Sequence, residues 1–187
     1  MDIIIAGAGR VGFKLAQILS LKHNIVIIDK NKEALSRLAE SIDVMAIYGN
    51  IEDPDTYQAL MDRSFDIFIA VTDNDEANIL STLIADDTID VDKKIIRLRN
   101  PYFAKSTIAQ KLGIYEAVFP FIEAARSIQQ LLEFPKAHNV KKFIFTTHSL
   151  ISVAAQELEV EHIGQIEDAR LKVVGIERQK FFYSSKE

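Results

Sequence analysis

No cysteine occurs anywhere in the chain. That absence removes disulfides, thiolate metal sites and cysteine nucleophiles, and it fits a reducing cytoplasm. There is no run of about 18 apolar residues, so no transmembrane helix is expected and any membrane role has to come through a partner. The start, Met1-Asp2-Ile3-Ile4-Ile5, enters an apolar segment directly, without the basic stretch and longer apolar run of a secretory signal. Basic excess is missing as well. The 22 Lys and Arg against 27 Asp and Glu give a net charge of -5 mixed along the chain, which leaves no basic stripe to meet a nucleic acid.

What is present is the composition of an ordinary globular protein, 48% hydrophobic and 26% charged, which supports a sizeable core and argues against disorder. A length of 187 residues suffices for one domain of about 100 to 150 residues and an appendage.

Short runs rich in Ile and Val alternate with amphipathic stretches, the signature of stacked βα units. Strands are expected at Ile3–Ala6, Ile25–Ile28, Val44–Tyr48, Asp66–Val71, Lys94–Leu98 and Glu116–Phe119. A helix over Val11–Leu21 is expected to bury Val11, Leu15, Ile18 and Leu19, and Asn31 is placed to cap a second helix through Leu35, Leu38 and Ile42. Asp53-Pro54 opens a short helix, because proline suits the first helical position. Further helices are expected over Asn74–Ala85, Pro101–Leu112 and Phe121–Phe134, the last ended by Pro135. The strands are apolar throughout rather than alternating, as when helices cover both faces of a parallel sheet. The fold class is therefore α/β, a doubly wound six-stranded parallel sheet over residues 1–135. Residues 136–187 form a small α+β appendage with strand-like segments at Phe143–Phe145, Leu150–Ala154 and Leu171–Ile176.

Gly7-Ala8-Gly9-Arg10-Val11-Gly12 is a G-x-G-x-x-G between an apolar strand and an amphipathic helix, the context that marks a Rossmann-type dinucleotide turn. Gly7 permits the tight turn, Gly9 lets the backbone approach a pyrophosphate, and Gly12 lets helix and strand pack closely. Phosphate then meets free amides and the positive end of the helix dipole. Asp29, about twenty residues on, can accept from a ribose diol. Its carboxylate repels a 2′-phosphate, which favours NAD(H) or an adenine nucleotide over NADP, and Lys30 slightly weakens that exclusion. Methyltransferase-like folds share a glycine-rich first turn and an acidic residue after the second strand, so the fold alone does not decide.

Other residues carry two readings each. Arg10 either clamps a phosphate by charge-assisted bonds or is a solvated first-turn arginine. Thr72-Asp73-Asn74-Asp75-Glu76 lies where ligands of open α/β sheets bind, and Asp73 or Asn74 equally suits helix capping. Arg97 and Arg99 point the same way and Leu98 the other; one of the arginines faces the ligand, or both pair with helix carboxylates. The apolar face of the Phe121–Phe134 helix, with Phe121, Ile122, Ile128, Leu131 and Leu132, serves either a dimer or packing on its own sheet.

Signs of catalysis are scarce. No tyrosine has a lysine four residues later, so the Tyr-x-x-x-Lys pair of short-chain dehydrogenases is missing. His23, His138, His148 and His162 fall outside the ends of strands four and five, and no metal site is expected from them. No G-x-x-x-x-G-K-[ST] loop occurs. The alternative reading is a small NAD-dependent oxidoreductase with Asp73 or Glu76 as base.

Ile4-Ile5-Ala6-Gly7-Ala8-Gly9-Arg10-Val11-Gly12, Val26-Ile27-Ile28-Asp29, Gly49-Asn50 before Asp53-Pro54, Ala70-Val71-Thr72-Asp73-Asn74-Asp75-Glu76-Ala77-Asn78 and Arg97-Leu98-Arg99-Asn100-Pro101 together resemble the regulatory nucleotide-binding domains of potassium transporters and channels, called TrkA-N, KTN or RCK domains. The resemblance covers roughly residues 1–132. It implies a cytoplasmic, non-catalytic subunit that binds NAD(H) or ATP/ADP and gates a Trk- or Ktr-type membrane potassium transporter as a homodimer or ring of dimers. By that resemblance the glycine turn with Arg10 takes phosphates, Asp29 takes ribose, and Val71, Thr72 and Asp73 with Arg97 complete the pocket. The family's usual Gly-Asp after strand three is Gly49-Asn50 here, which puts any charge-dependent role of that position in doubt. Residues 136–187 resemble the family's RCK-C segment only loosely. The chain stops at Tyr183–Glu187 before the final strands expected of that segment, which points to a truncated or short form.

Overall fold

A computed structural model of the chain describes residues 1–133, 137–142, 149–154, 173–178 and 181–184. The Ile- and Val-rich runs become β1 (Asp2–Ala6), β2 (Asn24–Asp29), β3 (Met45–Tyr48), β4 (Ser64–Ala70), β5 (Asp90–Arg97) and β6 (Glu116–Val118). They form one parallel sheet in the order β3-β2-β1-β4-β5-β6. Ile4 pairs with Val26 on one side and Phe68 on the other. The chain winds outward from β1 to β3, then returns to the other side of β1 as β4, so the strand order reverses between β1 and β4. In such sheets the crevice beyond the strand ends at the reversal is where ligands sit.

Both faces of the sheet are covered. Ile4, Ala6, Val26, Ile28, Phe68, Ala70 and Ile96 pack on one side with Tyr57 and Leu60 of a 3-10 segment (Pro54–Leu60) and with Ala77 and Ala85 of α3 (Asp75–Thr88). Ile3, Ile5, Ile25, Ile27 and Ile69 pack on the other with Ala16 of α1 (Arg10–Leu19) and Leu35 and Leu38 of α2 (Lys32–Ala39). Each fully buried isoleucine contributes roughly 1.5–3 kcal/mol, which is why neither face tolerates polar alternation.

Two expectations are corrected. Val11 and Ile18 are 40% and 54% exposed rather than buried. α1 turns Gly12 and Ala16 to the sheet, because small residues one helical turn apart let the helix sit close, while Phe13, Leu15 and Leu19 pack against the core from beside them and Val11 and Ile18 point outward. The single helix expected over Pro101–Leu112 is two, α4 (Pro101–Lys105) and α5 (Ile108–Lys111). At the break, Ser106 Oγ donates to Phe103 O (3.1 Å) and accepts from Ile108 N (3.4 Å). Its hydroxyl thus competes for backbone groups that a continuous helix would use.

The chain divides into two compact units, Met1–Ala125 and Arg126–Glu187. The sixth helix, α6, runs over Pro120–Glu133. Beyond it, β7 (Ala137–Lys142) pairs antiparallel with β8 (Ser149–Val153), and β9 (Gly175–Arg178) with β10 (Phe181–Ser184). β8 falls on the expected Leu150–Ala154 segment, whereas β9 overlaps only the end of Leu171–Ile176. β7 escapes a reading based on apolar runs, since Val140 is flanked by Asn139 and two lysines. Phe134, Pro135, Phe143–Phe145, His148 and His162 lie outside the described residues. Among the described residues no helix is long and apolar enough to cross a membrane.

Candidate functional site

β1 ends at Ala6 and the chain reverses at Gly7, whose φ of 110° suits glycine. The Gly7 N–H donates to Ile28 O at 2.8 Å, tying the turn to β2. A Cβ at Gly12 would lie 1.7 Å from Gly7 O, so only glycine lets α1 start this close to the turn. A Cβ at Gly9 would meet nothing within 4 Å, and the space above the turn is open.

α1 begins without help. Gly9 supplies no side-chain cap, and no acidic residue stands in the first turn. By contrast Asn31 caps α2 through Ala34 N (2.9 Å), Asn74 caps α3 through Ala77 N (2.6 Å) and Asn100 caps α4 through Tyr102 N (3.0 Å). The first-turn amides of α1, with the positive end of the helix dipole, are therefore left for an anion.

Asp29 stands at the end of β2. Its Oδ2 accepts from Ala8 N at 2.6 Å and its Oδ1 from Asn31 N at 2.8 Å, so the carboxylate joins the glycine turn to the start of α2. Each oxygen retains a lone pair for a ribose hydroxyl. Sequence spacing locates Asp29 but does not reveal the tie to Ala8.

The third wall is the β4–α3 loop. Asn78, fully buried in α3, donates through Nδ2 to Thr72 O (3.1 Å) and Arg97 O (2.9 Å), and accepts at Oδ1 from Thr72 N (2.9 Å) and Thr72 Oγ1 (2.6 Å). Asp75 accepts from the backbone N–H of Arg99 and of Asn100. Arg97 Nη1 donates to Thr72 O (3.0 Å) and Arg99 Nη1 to Asp73 O (2.9 Å). Both arginines thus brace loop carbonyls rather than helix carboxylates, and the motif from Val71 to Asn78 is the clamp that joins the ends of β4 and β5.

These walls enclose a cavity of about 330 Å³ lined by Gly7, Asp29, Lys30, Asn31, Asn50, Ile51, Glu52, Thr72, Asp73, Asn74 and Ala77, within the size range of small-molecule sites. Of the residues expected at a site, it gathers Gly7, Asp29, Lys30, Asn50, Thr72 and Asp73. Ala8, Gly9, Arg10, Val11 and Gly12 form the turn and the start of α1 without lining it, and Val71 is buried. Arg97 is held behind the Thr72 carbonyl. Glu76 is exposed and lines a separate open depression with Asp73, Asn74, Asp75, Arg99, Asn100 and Phe121. Asn74 of the expected Thr72–Glu76 stretch also lines it, and Asn31, Ile51, Glu52 and Ala77 are lining residues that spacing alone does not single out, although each adjoins a motif that it does.

The TrkA-N domain model matches residues 3–120. The Trk system potassium uptake protein TrkA homolog of Archaeoglobus fulgidus is 35% identical over 145 residues, 76% of this chain and 33% of that protein. The chain spans about a third of the length of the first curated relatives that it matches. Among solved structures, the GsuK RCK domain superposes with a TM-score of 0.57 at 25% identity, covering 72% of this chain and 28% of that one. The GsuK channel bound to NAD has the same fold, with a TM-score of 0.59 at 17% identity over 76% of this chain and 25% of that one. The glycine turn, the carboxylate after β2 and the β4–α3 clamp all lie inside the matched span, and the chain belongs to the TrkA-N domain family.

Proposed function

We propose that the chain is the nucleotide-sensing part of a regulatory subunit in a potassium uptake system. It binds NAD(H) or ATP/ADP in the cavity beyond β1, β2 and β4, and through nucleotide-dependent changes in assembly it gates a Trk- or Ktr-type membrane potassium transporter from the cytoplasmic side. The observation that carries this reading is the uncapped start of α1 beside the Asp29 carboxylate at the strand-order reversal. Phosphates take the α1 amides and ribose takes Asp29. No residue is assigned a catalytic role. In this reading residues 1–135 are the nucleotide-binding domain and 136–187 a partial RCK-C-like segment. The working form is a homodimer or ring of dimers, for which the exposed Phe121, Ile128, Leu131 and Leu132 of α6 supply the contact.

A ligand moves such an assembly only by its difference in affinity between the two states. Calorimetric titration with NADH, NAD, ATP, ADP and S-adenosylmethionine, with light scattering on the same samples, tests the proposal. Selective nucleotide binding that changes the assembled mass is expected. Equal affinity of all nucleotides for every assembly state would remove the gating mechanism.

Asp29→Ala removes a charged acceptor worth about 1.5–3 kcal/mol per bond. It is expected to weaken NADH or ATP by roughly tenfold to a hundredfold, with a smaller effect on inorganic pyrophosphate. Unchanged nucleotide affinity in that variant would place the ribose elsewhere.

A further inference from the structure

Two helices of the sheet domain carry charge of one sign each. Between Asp2 and Asp29 the sequence holds no carboxylate, and α1 presents Arg10 and Lys14, with Lys22 just past its end. α3 holds Asp75, Glu76, Asp86 and Asp87 and no lysine or arginine. Asp75 is engaged by the backbone of Arg99 and Asn100, and Asp86 by Lys94. Glu76 and Asp87 are exposed and have no hydrogen bond or ion pair among the described residues. Asp87 also stands in the last turn of α3, where the helix dipole favours a cation and α3 itself supplies none.

Each helix also leaves an apolar stripe uncovered. α1 buries Gly12 and Ala16, so Lys14 and Ile18 face outward, and Ser20 keeps helical backbone angles (φ -61°, ψ -19°), which lets Leu21 continue the stripe. Ile18 is 54% and Leu21 80% exposed, against 44% for Leu80 and 37% for Leu83 of α3. The two stripes match position for position. Lys14, Ile18 and Leu21 are spaced by four and then three residues, as are Glu76, Leu80 and Leu83, so each set lies along one helical face. They differ in the sign of the charge. Within one chain they cannot meet, because α1 packs with Ile3 and Ile5 on one side of the sheet and α3 with Ile4 and Phe68 on the other.

We infer that the α1 stripe of one copy docks on the α3 stripe of a second copy, Lys14 against Glu76, Ile18 against Leu80 and Leu21 against Leu83, with Lys22 beside Asp87. α1 and α3 follow the parallel strands β1 and β4 and run back the same way, so rotation of one copy about the strand direction aligns the two stripes. The contact joins unlike surfaces. A pair therefore still has one free stripe of each kind, and association continues into a ring or a chain of copies. It involves neither the nucleotide cavity nor the α6 contact proposed above. Four aliphatic side chains and two ion pairs fall short of the roughly 800 Å² per partner of a stable interface, so association on this surface is weak and follows protein concentration.

Charge reversal tests the pairing, read as assembled mass by sedimentation velocity over a concentration series at low salt. Wild type is expected to pass beyond a dimer as concentration rises. Lys14→Glu and Glu76→Lys are each expected to weaken that step by about tenfold, the effect of turning an exposed ion pair into a like-charge pair. An equimolar mixture of the two variants is expected to recover it to within about threefold of wild type, because each variant then offers the other an opposite charge. Wild type that stops at a dimer overturns the inference and spares the α6 contact, whereas wild type that stays a monomer overturns both. A mixture no better than either variant alone overturns the pairing. So does an effect of Glu76→Lys without one of Lys14→Glu, which assigns the α3 stripe to a contact with itself. If a charge variant does not fold, Ile18→Asp and Leu83→Asp decide, each being expected to abolish the step, and a step that survives either one overturns the inference.

Discussion

Gly12→Ala is expected to lower the stability of the domain by at least about 3 kcal/mol, the upper end of the cost of overpacking, and to abolish nucleotide binding. The new Cβ would stand 1.7 Å from Gly7 O and 2.9 Å from Gly7 C. Those are backbone atoms of a turn pinned to Ile28 O, so no side chain can swing aside to make room. Relief requires α1 to lift from β1, which uncovers Ala16, or the turn to move, which displaces the Asp29–Ala8 bond. A fall of roughly 10 °C in melting temperature is expected, with a lower urea midpoint at unchanged slope. Gly9→Ala is the contrast. Its Cβ meets nothing and its backbone is ordinary for any residue (φ -66°), so stability is expected to fall by about 1 kcal/mol or less, the N-cap preference of glycine over alanine, while affinity for phosphate-bearing ligands falls. Equal melting of wild type and Gly12→Ala would mean that α1 does not sit where it is described.

Asn78→Ala is expected to cost about 3 kcal/mol and to weaken nucleotide binding although Asn78 does not line the cavity. Its amide makes four hydrogen bonds at once, two to Thr72 from the acceptor side and one each to the carbonyls of Thr72 and Arg97. Deleting it leaves the Thr72 N–H and the Arg97 carbonyl without that partner, at about 1–3 kcal/mol for each buried group left unmet. The Thr72 carbonyl still has Arg97 Nη1, which keeps the total below the sum of the parts. Asn78→Asp is expected to be no better, because it sets a carboxylate against two carbonyls. Chemical denaturation and calorimetry on the same samples check both effects. A loss below about 1 kcal/mol would mean that the β4–β5 clamp holds without its centre.

The parts of the fold legible in sequence are those that depend on neighbours along the chain. Ile3-Ile4-Ile5 and Ile25-Val26-Ile27-Ile28 announce strands buried on two faces, and the glycine motif with Asp29 announces the tight turn after β1 and the carboxylate beside it, because strand, turn, helix and strand follow in register. Where the outcome depends on distance across the fold, the pattern is silent. Val11, Leu15, Ile18 and Leu19 recur at helical spacing, yet only the closeness allowed by Gly12 decides that Gly12 and Ala16 face inward. Arg97 and Arg99 alternate along a strand, yet their partners, the carbonyls of Thr72 and Asp73, are set by the adjacency of β4 and β5. Ile51 and Glu52 line the cavity on a segment that Gly49 N ties to Asp29 O at the end of β2, and that Thr56 Oγ1 and the Tyr57 hydroxyl hold through the carbonyls of Asn50 and Ile51.

Three helices of this domain finish their own first turn with an asparagine, and α1 does not. A serine or aspartate at position 9 would finish it internally, for a gain of a few tenths of a kcal/mol, and the space there is open to receive the side chain. The glycine forgoes that gain. In the proposed site an anion seated on those amides completes the helix from outside, and the folded population is then expected to follow the supply of that anion by mass action.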